Sequence, residues 1–152
     1  MLGQTGAGKT HICSAVTKTL IDKGLDAIYV VWDDFVENLN QERYDEGNLR
    51  ALDKYKEIEV LYIDDFLKGK ITDSSITTAY RLLNYRYNRK LTTLISSEYL
   101  LSDLYKIDGA LAGRIEEMAK TSYVIQISKD DSKNYRMTNN WANEIGTLVW
   151  II

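Results

Sequence analysis

The sequence has little cysteine, no long apolar run and no excess of positive charge. Cys13 is the only cysteine among the 152 residues, which excludes an internal disulfide and a multi-cysteine metal site and is typical of a reducing compartment. No apolar stretch approaches the roughly 20 residues of a membrane-spanning helix, and Met1–Gly3 lacks the basic and apolar parts of an export signal. We therefore expect a cytoplasmic protein without a membrane partner.

The charge balance is slightly negative. Lys and Arg together number 19 and Asp and Glu 22, which gives a net charge of −3 and excludes a protein-wide positive field for nucleic acid or acidic membranes. Any site for a polyanion must therefore be local. The hydrophobic fraction of 45% and the charged fraction of 27% exclude wholly disordered and collagen-like chains and favour one globular domain at this length.

Apolar, β-prone runs alternate with helical periodicities along the chain. This alternation predicts an α/β fold, in which a parallel sheet is covered by helices. The predicted strands are residues 27–32, 60–63, 92–96 and 123–127. The predicted helices are residues 9–22, 35–40, 48–55, 74–88, 100–105 and 110–120. No repeat or linker divides them, so we expect one core over residues 1–137 and a separate tail over residues 138–152, whose role the periodicities do not indicate.

Residues 3–10 match the phosphate-binding P-loop pattern G-x-x-x-x-G-K-[ST]. Its glycines let backbone N–H groups turn toward a β-phosphate, Lys9 reaches the β and γ oxygens, and Thr10 offers a hydroxyl to Mg²⁺. An apolar repeat at helical spacing follows at Ile12, Ala15, Val16 and Leu20. The predicted nucleotide contacts are Gly3, Thr5, Gly6, Ala7, Gly8, Lys9, Thr10 and His11. For His11, as for Cys13, packing or solvent contact is the alternative.

An apolar strand over residues 60–63 ends in two carboxylates, Asp64 and Asp65. Carboxylates at this end of a parallel strand lie beside the P-loop, so Asp64 is expected to hold Mg²⁺ and Asp65 to orient or deprotonate the attacking water. Asp33 and Asp34 follow the previous strand in the same way. They fit a helix N-cap better, because another carboxylate follows in the first turn.

Three further residues carry polar groups for which the sequence offers more than one partner. Ser96 and Ser97 end the next strand, where a hydroxyl suits a hydrogen bond to the γ-phosphate or to the attacking water. Arg114 occupies a position in an otherwise apolar helical stripe, where a cation needs a partner. That partner is either the γ-phosphate on a neighbouring subunit or a carboxylate of the same chain, and the sequence leaves both open.

A local basic surface is predicted on the helix over residues 74–88. Arg81, Tyr85 and Arg89 are spaced i, i+4, i+8, so aromatic and basic groups on one stripe would stack bases and meet phosphates. Arg86 and Lys90 lie nearby. A solvated or subunit-contacting face is the alternative. The predicted core face of this helix is Ile76, Ala79, Leu83 and Tyr87.

The order of these motifs resembles the DnaC/IstB-type AAA+ ATPases, which are bacterial and phage replicative-helicase loaders and transposition-helper ATPases. The resemblance rests on the P-loop, Asp64-Asp65, the strand end at residues 95–98, the run at residues 113–118, and Asn134-Tyr135-Arg136. It implies a P-loop NTPase of the AAA+ class that binds ATP and Mg²⁺, hydrolyses ATP, forms a spiral homo-oligomer, engages single-stranded DNA weakly and loads a replicative helicase.

The resemblance also implies residue roles. Arg114 looks like the arginine finger that acts in trans, Ser97 or Ser96 resembles the sensor-1 residue, and Asp65 takes the place of the catalytic acid. Asp65 is one methylene shorter than the glutamate of many AAA+ proteins, so slow hydrolysis is expected. No helical lid is evident after the last strand, and Arg136 is a candidate for the arginine that such a lid supplies.

Other functions remain open at this level. A transposition-helper ATPase of the same family and a truncated, non-catalytic nucleotide-binding fragment both fit the motifs. A small-molecule kinase fits less well, because no arginine-rich lid segment lies between the strands. The first strand is represented by only Met1 and Leu2, so we expect a gap in the sheet that the apolar run over residues 148–152 partly fills.

Overall fold

The computed structural model describes residues 1–45, 50–128, 130 and 134. The strands are β1 (Leu2–Gly3), β2 (Ala27–Val31), β3 (Val60–Asp64), β4 (Thr92–Ile95) and β5 (Gln126–Ile127). The helices are α1 (Lys9–Asp22), α2 (Trp32–Asp45), α3 (Asp53–Glu57), α4 (Asp73–Arg89), α5 (Leu101–Ile107) and α6 (Gly109–Tyr123). No helix in the described ranges is long and apolar enough to cross a membrane.

The strands run parallel. β3 lies between β2 and β4, with Val31 opposite Asp64 and Ile63 opposite Ile95. A parallel bridge between Leu2 and Ser97 brings β1 beside the end of β4, and β1 pairs with β5 on its other side. The strands therefore succeed one another in the order β2, β3, β4, β1, β5, and helices connect them, so the predicted α/β class is confirmed.

The first strand is as short as the sequence predicts, yet both its edges are paired. The N–H of Leu2 donates to the carbonyl of Ile125 at 2.8 Å, and the N–H of Gly3 donates to the carbonyl of Ser97 at 3.0 Å. Ser97 in turn donates its N–H to the carbonyl of Met1. The prediction that the first strand is largely missing is therefore confirmed, whereas an unpaired gap beside residues 92–94 of β4 stays a prediction. The run over residues 148–152, expected to fill it, lies outside the described residues.

The main core lies between the sheet and the helices on one face. Every residue of β3 is buried, and Leu61 and Ile63 pack with apolar residues of α2, α4 and α6. Ala79 and Leu83 of α4 are fully buried, as their spacing predicts, and Ile76 packs against the same core. This core fixes the carboxyl end of β3, where the predicted chemistry lies.

The helix predicted to follow the P-loop is present as α1, but the face that it buries is not its apolar face. Lys9, Cys13 and Thr17 point inward, whereas Ile12 and Val16 are each 44% exposed. The reason lies in the P-loop: Lys9 must turn into the loop, and the residues four and eight positions later then share its face. The rotation of α1 is thus set by the phosphate-binding loop rather than by hydrophobicity.

Several element boundaries differ from those expected. α2 begins at Trp32, so Asp33 and Asp34 lie in its first turn and neither is the predicted N-cap. Both carboxylates remain favourable there, because the first turn carries the positive end of the helix dipole. β5 begins at Gln126, because helical residues extend to Tyr123 past a break in α6 at Lys120, where φ is 47°. Residues 48 and 49 of the helix expected over 48–55, and Arg136, lie outside the described residues.

Candidate nucleotide-binding site

The P-loop leaves β1 and enters α1 through backbone conformations that glycine favours. Gly3 has a φ of 131° and Gly6 a φ of 78°. A Cβ on Gly3 would stand 2.1 Å from the carbonyl oxygen of Ile127, and one on Gly6 would stand 2.0 Å from Oδ1 of Asn134. Gly3 therefore requires glycine for its backbone conformation and for space, whereas Gly6 requires it for its positive φ, since the Asn134 side chain can shift.

Lys9 is buried inside this loop, with only 6% of its surface exposed. Its Nζ donates to the carbonyl oxygens of Gly3 and Gln4, both at 2.8 Å. Burial lowers the pKa of Lys9, and the carboxylates of Glu98, Asp65 and Asp64 oppose that shift. The ammonium group is thus held at the base of the loop, where a phosphate would meet it.

Asp64 gathers three hydroxyl groups at the carboxyl end of β3. Thr10 donates from Oγ1 to Oδ1 of Asp64 at 3.2 Å, and Tyr29 donates from its hydroxyl to Oδ2 at 3.2 Å. The hydroxyl of Ser96 donates to the same Oδ1. Burial, followed by the charge of Asp64, raises the pKa of Tyr29 to about 12, so this hydroxyl stays a donor at neutral pH.

Asp65 adopts a positive φ of 51° directly after the strand, and its N–H donates to Oγ of Ser96 at 3.3 Å. Its Oδ2 lies 2.9 Å from Nζ of Lys68. Lys68 also lies 3.2 Å from Oε1 of Glu98, which accepts a 2.8 Å hydrogen bond from Oγ1 of Thr5. A continuous chain of polar contacts therefore joins Asp65 to the P-loop.

The two serines at the end of β4 face different ways, as alternation along extended backbone dictates. Ser96 contacts Asp64, as described above. Ser97 instead donates from Oγ to the carbonyl of Phe66 at 2.8 Å and accepts the N–H of Tyr99. The structure therefore brings Ser96 to the site, whereas the hydroxyl of Ser97, the residue named first from the sequence, braces the loop after β3.

These groups line one cleft of about 420 Å³. The cleft is lined by Thr5, Gly6, Ala7, Gly8, Lys9, Thr10, His11, Tyr29, Val31, Asp64, Asp65, Lys68 and Glu98. Gly3 does not line it but bonds Lys9 through its carbonyl. Lys68 and Glu98 were not predicted as site residues. The signal for Glu98 is its place directly after the strand-end serines, whereas Lys68 has no motif of its own.

The segment after β5 returns to the P-loop. Gln4 and Asp130 exchange two hydrogen bonds of 2.7 Å: the Gln4 side-chain amide donates to the carbonyl of Asp130, whose N–H donates back to Oε1. Asn134, from the Asn-Tyr-Arg motif, lies against Gly6, as the close approach of its Oδ1 shows. The motif that sequence reasoning associated with the family thus begins beside the phosphate-binding loop.

Arg114 does not line this cleft. Its Nη1 lies 2.7 Å from Oε2 of Glu117, and its guanidinium stands 4.2 Å from the centre of the Tyr87 ring. The Tyr87 hydroxyl donates to the other oxygen of Glu117 at 2.5 Å. The structure thus shows the intrachain partner that the sequence left as one of two alternatives. Tyr87 is half-buried beneath this cation.

The basic surface on α4 is smaller than predicted. Arg86 is fully buried and donates to the carbonyls of Tyr55, Ile58 and Thr92, so it is not available to nucleic acid. Arg89 remains exposed and stands 5.5 Å from the centre of the Tyr85 ring. The exposed members of the predicted patch are Arg81, Arg89 and Lys90.

Comparison with known proteins decides the family. Residues 1–139 match the family described as IstB-like ATP binding protein. The chain belongs to this family. Among curated relatives, this IstB-like ATP-binding chain is 36% identical over 143 residues to the phage-like element PBSX protein XkdC of Bacillus subtilis, with 90% of the chain and 53% of XkdC covered. It is 33% identical over 147 residues to YqaM of the same organism, with 93% and 46% covered.

Solved structures agree with this placement of the IstB-like chain. The DnaC helicase loader superposes with a TM-score of 0.71 at 25% identity, covering 85% of this chain and 76% of that one. The initiator DnaA bound to AMPPCP and single-stranded DNA superposes with a TM-score of 0.69 at 23% identity, covering 88% and 40%, which shows a shared fold. The IstB-like chain spans about half the length of the curated relatives it matches. It is an AAA+ P-loop domain related to helicase loaders and DnaA.

Proposed function

We propose that this ATP-binding domain holds Mg²⁺-ATP between the P-loop and the end of β3, and that it hydrolyses the nucleotide slowly. The observation that carries the proposal is the contact between the Thr10 hydroxyl and Oδ1 of Asp64 at 3.2 Å, beside the buried Lys9. A lysine for phosphate oxygens and a paired hydroxyl and carboxylate for a divalent cation are the groups that Mg²⁺-ATP requires.

The residues present fit Mg²⁺ better than a metal caged by protein alone. Thr10 and Asp64 offer hard oxygen ligands, and the described part of the chain contains no group of three or more His, Cys, Asp or Glu that would hold a metal. Mg²⁺ typically takes one or two protein oxygens and fills its shell with water and phosphate. When bound, the ion supplies positive charge against the β- and γ-phosphates.

For hydrolysis we propose that Asp65 orients the attacking water or accepts its proton. Ser96 supports the proposal, because its hydroxyl donates to the carboxylate of Asp64 and accepts the backbone N–H of Asp65, which fixes the backbone of Asp65 beside that carboxylate. We assign the strand-end polar role to Ser96, since Ser97 bonds the carbonyl of Phe66. Arg114 would complete the site of a neighbouring copy in a homo-oligomer, leaving Glu117 when the neighbour's phosphate is present.

Calorimetry tests the nucleotide proposal directly. Lys9→Ala should abolish the heat of Mg²⁺-ATP binding, because the cation at the base of the loop is lost. Lys23→Ala is the matched control, since Lys23 is exposed at the far end of α1 and should leave binding unchanged. Equal affinity in Lys9→Ala, or no heat from a folded wild-type chain, would contradict the proposal and favour a non-catalytic fragment.

At the level of the cell we propose a role in DNA replication, with a replicative helicase and single-stranded DNA as partners. Support comes from the likeness to a DnaC helicase loader and to a DnaA bound to single-stranded DNA, and from the exposed cations of α4. The family match equally admits a transposition-helper ATPase. We propose residues 1–137 as the ATPase core, with the tail over residues 138–152 outside it.

Light scattering separates these partners. We expect the mass to rise when Mg²⁺-ATP is added, because Arg114 would bridge copies, and to rise further with oligo-dT. A mass equal to the monomer under every condition would contradict the homo-oligomer. A rise with nucleotide that oligo-dT does not change would contradict the single-stranded DNA contact alone.

A further inference from the structure

Lys68 lies in the nucleotide cleft without belonging to any of its motifs. Its Nζ stands 2.9 Å from Oδ2 of Asp65 and 3.2 Å from Oε1 of Glu98. The side chain is 49% exposed, so it keeps the freedom to change partner. The hydrogen bonds to Asp65 and Glu98 raise the pKa of Lys68, so the group stays a cation throughout the neutral range.

We propose that Lys68 is the residue by which this site distinguishes ATP from ADP: its ammonium group leaves Asp65 and Glu98 for the terminal phosphate of ATP. The inference rests on the nucleotide site proposed above. Lys68 would then be a second cation, from the same chain as Lys9, that contacts the phosphates. When the terminal phosphate is missing, Lys68 contacts the carboxylates of Asp65 and Glu98 instead.

The charges in the cleft make this exchange favourable. The cleft is lined by three carboxylates, those of Asp64, Asp65 and Glu98, and by two lysines, Lys9 and Lys68. Lys9 serves the phosphates at the base of the loop, and Asp64 is directed to Mg²⁺. A terminal phosphate would otherwise face Asp65 and Glu98 directly. A lysine ammonium forms charge-assisted hydrogen bonds to phosphate as well as to carboxylate, so Lys68 can exchange one acceptor for the other and offset the repulsion between that phosphate and the carboxylates.

Lys68 stands on the side of the cleft where a third phosphate would lie. The Mg²⁺ ion of a P-loop site bridges the β- and γ-phosphate oxygens, and the residue that orients the attacking water faces the γ-phosphate. Asp65 is that residue here, and Lys68 contacts it. ADP ends one phosphate earlier, nearer to Lys9, so it leaves the contacts of Lys68 with Asp65 and Glu98 intact.

Glu98 competes for Lys68 in this arrangement. It holds Lys68 at 3.2 Å while accepting the hydroxyl of Thr5 from the P-loop. The amide of Glu98→Gln keeps an acceptor for Thr5 but removes the charge that retains Lys68 and repels the terminal phosphate. Replacements of Lys68 and of Glu98 should therefore change nucleotide preference in opposite directions.

Calorimetry with Mg²⁺-AMPPCP and Mg²⁺-ADP tests the inference, with the ratio of the two affinities as the readout. Lys68→Met should lower the ratio about tenfold, the loss expected for one hydrogen bond between charged groups. Lys68→Arg should restore most of it, and Glu98→Gln should raise it. Lys70→Met is the matched control, because Lys70 is exposed, lies outside the cleft and carries the same charge.

The outcomes separate the inference from the function beneath it. An unchanged ratio in Lys68→Met, including one in which both affinities fall together, would overturn the role of Lys68 while leaving the nucleotide site intact. A ratio that falls equally in Lys70→Met would overturn it as well, because net charge alone would then explain the effect. A wild-type chain that binds neither nucleotide would overturn the proposed function itself.

Discussion

Arg86→Met should unfold the domain at a markedly lower temperature than the wild type. The guanidinium is fully buried and donates to the carbonyls of Tyr55 at 2.9 Å, Ile58 at 2.8 Å and Thr92 at 2.6 Å, and to the hydroxyl of Thr93 at 2.9 Å. These contacts tie α4 to the end of α3, to the turn that enters β3 and to the start of β4. Methionine fills similar space but donates nothing, so the carbonyls lose their partner.

The magnitude follows from two opposing terms. A fully buried carbonyl left without a partner costs about 1–3 kcal/mol, and these three contacts are partly buried, so together they cost a few kcal/mol. Removing a buried cation returns part of that cost, because burial lowers the pKa of Arg86 to about 10 and so opposes its charged form. We expect a net loss of about 3 kcal/mol, which in a domain of this size lowers the melting temperature by roughly 6–12 °C.

Thermal and urea unfolding followed by circular dichroism measure this change. Arg89→Met is the control, since it removes the same charge from the same helix at an exposed position. We expect a shift of less than about 0.5 kcal/mol for it, as for most surface substitutions. A melting temperature within 2 °C of the wild type in Arg86→Met, taking about 2 °C as the smallest resolvable shift, or an equal loss in both variants, would refute the reasoning.

Two further predictions concern activity and DNA. The rate of ATP hydrolysis should rise faster than linearly with protein concentration, because a trans arginine contributes roughly 10³-fold or more in related phosphoryl transfer. A mixture of Arg114→Ala and Asp65→Asn chains should recover activity that neither has alone. A mixture as inactive as its components would show that Arg114 does not act in trans. Binding to oligo-dT should be weak and salt-sensitive, because only a few cations are exposed on α4. The double variant Arg81→Glu, Arg89→Glu should weaken it further in a fluorescence titration. An unchanged affinity would show that the DNA site lies elsewhere.

The features that the sequence predicted well depend on local pattern. The P-loop, the buried strand before Asp64 and the core positions Ala79 and Leu83 each follow from spacing within a single element. The approach of Thr10 to Asp64 also follows, because parallel strands present their carboxyl ends at one edge of the sheet. These features could be predicted without knowing how the loops between distant elements fold.

The features that the sequence missed depend on contacts between elements. Lys68 reaches Asp65 because the backbone has a positive φ at both Asp65 and Leu67. Nothing in the sequence pattern predicts positive φ at these two positions. Arg86 shares a helix with exposed basic residues, and only the turn entering β3 makes it a buried donor. The exposed apolar positions on α1 follow from the way the P-loop fixes the rotation of that helix.

The pairing of β1 on both edges bears on the order in which the domain folds. The P-loop hangs from a strand whose partners are Ser97 and Ile125, and Gln4 bonds Asp130, a residue 126 positions away along the chain. Contacts of such sequence separation form slowly, because the entropy of closing a long loop must be overcome first. The phosphate-binding loop therefore takes its shape only when the far end of the domain has docked, so nucleotide binding would report completion of the whole sheet.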